Sequence, residues 1–160
     1  MKYFKFRLAK FKILVKGDVK LYNKIYSSHL STFKLIFNYR MLPVLLIRIT
    51  WLFSNSIIGK FSSMLNVLLF KIEYTSKCYI AKGLFFPHPN NIIIGANYIG
   101  SNCIIYHNVT LGAKYLDVNF VRGVRPIIAG SNVIGSGSII IGPFRLEKNK
   151  KIGPNMLLKG

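Results

Sequence analysis

The sequence predicts a mainly β chain in which a stack of short three-sided coils follows a small α-helical segment. Aliphatic residues recur at every sixth position over the second half, while the first half keeps helical spacing. Between them, near residue 76, the composition turns to Ile, Val, Gly, Asn and Ser.

The six-residue repeat carries most of the weight. Ile128, Ile134, Ile140, Leu146, Ile152 and Leu158 follow one another at six-residue intervals, and Ile99, Ile105 and Leu111 keep the same period upstream. Glycine follows four of these positions, at Gly100, Gly112, Gly135 and Gly153, and small residues such as Cys103 and Ser138 fill several fifth positions, two before the next aliphatic residue. A hexad supplies one short strand and one tight turn, so three hexads close a triangle. Its aliphatic residue points into the prism, and Asn or Gly accepts the positive φ of the corners. No coil buries its apolar side alone, so such an array is stable only as a stack. A doubly wound sheet would need helices between strands, and a sandwich would show period two.

Two breaks interrupt the register. Leu111 to Ile128 spans 17 positions, which loops residues 113–126 out of the prism, and Ile94 to Ile99 spans five rather than six. Residues 1–75 read as a basic α-helical segment and 76–160 as the coil domain. In the former, Phe33, Ile36, Phe37 and Met41 keep three- and four-residue spacing, and Pro43 suits the start of a helix.

Charge narrows the chemistry. The chain has 160 residues, 51% of them hydrophobic, with 23 Lys and Arg against four acids and a net charge of +19. Ten of those cations fall within the first 40 residues, against Asp18 alone. Such a surface attracts phosphorylated cofactors, nucleic acid or anionic lipid. Four acids nearly exclude a carboxylate metal cage or a two-carboxylate glycosidase. Cys78 and Cys103 form no zinc pattern or disulfide framework, so a reduced cytoplasmic setting is expected. The most apolar stretch, Met41 to Ile72, is interrupted by Arg48, Lys60 and Lys71, and its longest charge-free run, Ile49 to Gly59, has 11 residues. A spanning helix needs about 20. Helices packed on each other and on the neighbouring domain are the expectation, and a basic face resting on anionic inner-leaflet lipid is the alternative. No nucleic-acid motif accompanies the charge.

Three histidines are candidates for chemistry. His29, among Ser and Lys, reads as a surface residue. His107, two residues after Ile105, reads as a packing residue or a groove lining. His88 stands between Pro87 and Pro89, which fix the backbone around it. A rigidly presented imidazole is what a general base requires.

The segment Gly83 to Gly112, with Arg125-Pro126 and the hexads after it, resembles serine acetyltransferase-like hexapeptide-repeat acyltransferases. The phrases that carry this are His-Pro-x-x-Ile-Ile-Ile-Gly and Ile-Gly-x-Asn-Cys-x-Ile-Tyr-x-Asn-Val-Thr-Leu-Gly, with Asp18-Val-Lys-Leu-Tyr echoing an early element. The resemblance implies a left-handed parallel β-helix, a homotrimer and active sites in grooves between adjacent prisms. It also implies acetyl-CoA as acyl donor, no metal, and His88 as general base. Gly112, Ala113 and Ser136 match contacts of the CoA arm. Lys114, Arg122 and Arg125, with His107, are the expected contacts to CoA phosphates or the acceptor. For the carboxylate that orients His88, Asp18 is the first choice among Asp18, Glu73, Asp117 and Glu147.

Two departures from the family pattern bear on the acceptor. Pro87 stands where serine acetyltransferases have Asp, and Arg125 where they have a second His. Both losses fit the branch that O-acetylates sugars of surface polysaccharides. A saccharide hydroxyl, free or lipid-linked, is therefore the expected acceptor, with free serine as the alternative and a non-catalytic scaffold for polyanions as the other class.

Overall fold

The computed structural model describes the backbone of residues 2–160 and the side chains of residues 4–160. Three α-helices lead the chain: α1 (Lys2–Tyr26), α2 (Leu42–Leu52) and α3 (Ile57–Phe70), with a 3-10 turn at Thr32–Phe37. The strands are β1 (Ile72–Tyr74), β2 (Tyr79–Ile80), β3 (Leu84–Phe85), β4 (Ile92–Ile94), β5 (Tyr98–Ile99), β6 (Cys103–Ile105) and β7 (Thr110–Gly112). After the loop come β8 (Ile127–Ile128), β9 (Val133–Ile134), β10 (Ile139–Ile141), β11 (Arg145–Leu146), β12 (Lys151–Ile152) and β13 (Leu157–Lys159). The first strand thus begins inside the stretch expected to be helical, because Lys71 caps α3 with a left-handed residue (φ 56°) and turns the chain into β1.

Every third strand pairs in parallel, giving three sheets in the orders β1-β4-β7-β10-β13, β2-β5-β8-β11 and β3-β6-β9-β12. These are the three faces of a prism. The six-residue positions fill it: Ile99, Ile105, Leu111, Ile128, Ile134 and Ile140 are fully buried, and Ile152 and Leu158 in the last coil are half-buried. The register stacks like on like, as with Ile99 on Ile128 and Leu111 on Ile140.

Two columns of left-handed residues turn the corners. Gly83, Asn102, Ser131 and Asn149 form one, and Asn91, Asn108, Gly137 and Asn155 the other, all at positive φ. Asn pays little strain there because its short amide can bond the local backbone.

The helices sit on one end of the stack. On α1, Val15, Val19 and Tyr22 cover Phe85, which faces out of the prism, together with Leu35 and Met41. Beneath them lies an ion pair. Arg48 of α2 donates from Nε and Nη2 to the two oxygens of Asp18 on α1, each at 2.9 Å. Its Nη1 and Nη2 also reach the carbonyls of Ile80 and Ala81, at 2.6 and 2.7 Å. The amides of Gly83 and Leu84 donate to Asp18 Oδ1 at 2.8 Å each. Burial pushes the Asp18 carboxyl above its ordinary value, with the charge and hydrogen bonds of Arg48 and the two amides pulling the other way. The charge that interrupts the apolar run at Arg48 is therefore a clamp between helices and coils.

α3 is turned inside out. Gly59, Ser62 and Asn66 are buried against α2, where Ser62 Oγ donates to the Leu46 carbonyl (2.9 Å) and Asn66 Nδ2 to that of Pro43 (3.1 Å). Ile57, Ile58, Phe61, Met64, Leu68 and Leu69 face outward. The spacing of Phe33, Ile36 and Phe37 does not produce a core-facing helix either: all three are exposed on the 3-10 turn, and Leu35 fills the core beside Met41. No helix among the described residues is long and apolar enough to cross a membrane.

Candidate active site at an elongated coil corner

The chain turns from the third sheet to the first at a corner that repeats in each coil. With Phe85 paired to Ile104, Ile104 to Val133, and Val133 to Lys151, the residues three further on are His88, His107, Ser136 and Pro154. In the first coil this corner is longer. Six positions separate the inward-facing Phe86 and Ile92, against four between Ile105 and Val109, so two extra residues bulge out around His88.

The bulge is rigid. Pro89 is buried, Asn90 N–H donates to the His88 carbonyl at 2.9 Å, and Asn108 N–H donates to the Asn90 carbonyl at 3.1 Å. Asn91 Nδ2 donates to Asn108 Oδ1 at 3.0 Å. From the helical segment, Arg40 Nε donates to the Pro87 carbonyl at 3.0 Å, holding the peptide that precedes His88.

The His88 ring is exposed and has two aromatic neighbours in the next coil. His107 meets it edge to face, with centroids 5.7 Å apart and planes at 84°, and the Tyr106 ring lies 6.2 Å away. His107 is half-buried; among the described residues its buried Nδ1 has no hydrogen-bond partner, while its carbonyl accepts from Gly137 N–H. Ser136 is half-buried beside them. One corner therefore gathers a free imidazole, a second imidazole with an unused ring nitrogen, a phenol and a hydroxyl. Such a set can exchange a proton with a hydroxyl or thiol.

Asp18 does not orient His88. Both its oxygens are taken by Arg48, Gly83 and Leu84, because burial leaves a carboxylate no other stable arrangement than full pairing. Asp117 pairs with Arg125 and Glu147 with Arg145, while Glu73 is exposed on β1.

Gly112, Ala113, Lys114, Arg122 and Arg125 gather at a different corner, where the first sheet leads to the second through residues 113–126. Lys114 N–H donates to the Val124 carbonyl at 2.9 Å and closes the neck of this loop. Arg125 Nε donates to Asp117 Oδ2 (2.9 Å) and Nη1 to the Gly95 carbonyl (2.7 Å), with the guanidinium 4.1 Å from the Phe120 ring centroid. The shortened Gly95–Asn97 turn thus receives the loop. Burial works against the Asp117 carboxylate, but the hydrogen bonds from Arg125 and Val121 and the Arg125 charge hold it below its ordinary value. Arg125 accordingly spends its cation inside the loop. Lys114 and Arg122 are exposed, Arg122 touching Asn97 Oδ1 at 3.4 Å. A groove of about 370 Å³ runs beneath the loop, lined by Glu73, Lys77, Gly95, Asp117, Phe120 and Arg125. The two corners stand one side of the prism apart, about 10 Å of strand at 3.3 Å per residue. His29 is exposed in the helical segment.

Sequence reasoning missed Arg40 and Arg48. Arg48 had a signal, an unpaired charge in an apolar helix, which demands a buried partner. Arg40 had none, since its target is a backbone carbonyl 47 residues away.

No family model matches the sequence. Three curated relatives are serine acetyltransferases. That of Synechococcus elongatus is 31% identical over 107 residues, 64% of this chain and 42% of the relative. That of Staphylococcus epidermidis is 36% identical over 98 residues, 60% of this chain and 44% of the relative. That of Helicobacter pylori is 31% identical over 103 residues, 63% of this chain and 58% of the relative. The chain thus spans about half the length of the relatives it matches. Among solved structures, Neisseria gonorrhoeae serine acetyltransferase superposes with a TM-score of 0.79 at 19% identity, over 94% of this chain and 59% of that one. A serine acetyltransferase solved in complex with CoA gives 0.74 at 19% identity, over 93% of this chain and 62% of that one. The coil stack is the left-handed parallel β-helix of these structures.

Proposed function

We propose that the chain is an O-acetyltransferase that moves the acetyl group of acetyl-CoA to a hydroxyl, with His88 as general base. The observation that carries this is the elongated corner, which presents an exposed imidazole on a backbone fixed by two prolines and by Arg40. In the reaction, the His88 imidazole takes the acceptor's hydroxyl proton as that oxygen attacks the thioester carbonyl. The tetrahedral intermediate then expels the CoA thiolate, and the imidazolium returns the proton to sulfur. His107 and Tyr106 flank the acceptor. Gly112, Ala113 and Ser136 line the pantetheine arm, and Lys114 and Arg122 face its phosphates.

These groups occupy two corners of one prism, so the working site is a furrow between adjacent copies, one supplying His88 and the other the loop, as in a homotrimer. The relatives' names support free serine as acceptor. A saccharide hydroxyl is the second reading, favoured by Pro87 and by Arg125, whose guanidinium is committed to Asp117 and Gly95.

Thiol release from acetyl-CoA, measured with L-serine, nucleotide sugars and polysaccharide fragments, separates the acceptors. His88→Gln is expected to lower turnover by roughly 10²–10⁴-fold, the usual contribution of a general base, with the melting temperature unchanged. Undiminished turnover would reassign the base, and no thiol release with any acceptor would leave a polyanion-binding scaffold.

A further inference from the structure

We infer that the outer face of α3 is a membrane-contact surface that seats the chain on an anionic lipid bilayer. The helix is amphipathic in the wrong sense for water: Gly59, Ser62 and Asn66 face α2, and most of its large apolar side chains face out, with Phe70 and half-buried Leu65 the exceptions. Six of these, Ile57, Ile58, Phe61, Met64, Leu68 and Leu69, are between 48% and 79% exposed. Small and amide side chains between helices, with aliphatic and aromatic ones outside, are how helices pack in lipid. Gly59 permits that close approach, since a Cβ there would fall 2.2 Å from the Phe53 carbonyl oxygen.

The 14 residues of α3 reach about 21 Å at 1.5 Å per residue, less than the roughly 30 Å hydrocarbon core, so the helix lies along the interface rather than across it. The start of α1 packs at the end of the α2–α3 hairpin: the Phe4 ring lies 5.9 Å from Phe53, and Arg7 Nη1 donates to Ser54 Oγ at 3.1 Å.

Charge selects the occupant. Lys60 stands within the apolar stripe and Lys71 at its end, both exposed. Of the two acids in residues 4–75, Asp18 is buried with Arg48, leaving Glu73 alone on the outside. Anionic headgroups complement this surface, whereas the same face of a second copy would set Lys60 and Lys71 against their equivalents.

The test is co-sedimentation of the full chain with vesicles of phosphatidylcholine alone or with one quarter phosphatidylglycerol. Binding to the anionic vesicles is expected, weakened by salt. Phe61→Ser with Leu68→Ser is expected to reduce it by at least about tenfold, as lost apolar burial predicts, and Lys60→Glu to reduce it further. Sedimentation with neither vesicle, or equally with the variants, overturns the inference. So does a double variant that shifts the particle mass in lipid-free buffer while leaving vesicle binding intact, since a second copy would then cover the face. Thiol release from acetyl-CoA is read on the same samples and is expected to be unchanged, which keeps this surface separate from the proposed chemistry.

Discussion

The prism and α3 use the same residue types in opposite directions. In the prism, isoleucines point inward and asparagines turn the corners. In α3, Ser62 and Asn66 point inward, while Ile57, Ile58, Phe61, Met64, Leu68 and Leu69 point outward. The contrast teaches that hydrophobicity alone does not set the inside of a helix; the partner groups do. Asn66 and Ser62 are buried because the Pro43 and Leu46 carbonyls accept from them.

Opposite substitutions probe this contrast. The largest effect is expected from Ile140→Lys, which inserts an unpaired charge where three coils meet and costs more than about 4 kcal/mol. Loss of cooperative thermal unfolding would show it, and a folded, soluble variant would break the prism side of the comparison. Arg48→Met leaves Asp18 buried and unpaired, for a loss of about 3–5 kcal/mol in denaturant titrations; a loss under 1 kcal/mol would mean that the pair is not the clamp. In the hairpin the polarity of the test reverses. Asn66→Ala is expected to cost about 1–3 kcal/mol through the lost hydrogen bond, and Leu68→Ser to stay within about 0.5 kcal/mol. The reverse ranking in thermal melts would sink the inside-out description.

The smallest effect concerns the loop. The folded Asp117 carboxylate lies below its ordinary value of 3.8, so its contribution is complete above that pH and is lost as pH falls through the lowered value. Hydrogen exchange in residues 113–126 is expected to quicken selectively there, with the coils unaffected; uniform exchange across both would remove the Arg125–Asp117 pair as the loop's fastening.

The fold was legible because the repeat is local. Each hexad buries its own aliphatic residue, and nine such residues, three in one run and six in another, mark the prism without any long-range knowledge. The 17-position gap likewise marked the loop. The fixed backbone around His88 was legible through its flanking prolines, but the bulge that pushes it out was not: it appears only when Phe86–Ile92 is aligned with Ile105–Val109 across the sheets. Asp18 was misread because only four acids were available to orient His88, while its true partner, Arg48, lay in a helix read for its hydropathy. The turn at Phe33–Phe37 was misread for a related reason: three- and four-residue spacing reports periodicity, not what stands opposite it. The shortened Gly95–Asn97 turn acquires its meaning only with Arg125 beside it.

The bond from Arg40 to the carbonyl of residue 87 makes the leading helices more than a lid on the coils. Transplanting residues 76–160 onto another scaffold would carry over His88, Tyr106, His107 and Ser136 yet leave the peptide before His88 unbraced. The minimal portable unit is therefore set by a side chain whose only target there is a backbone carbonyl.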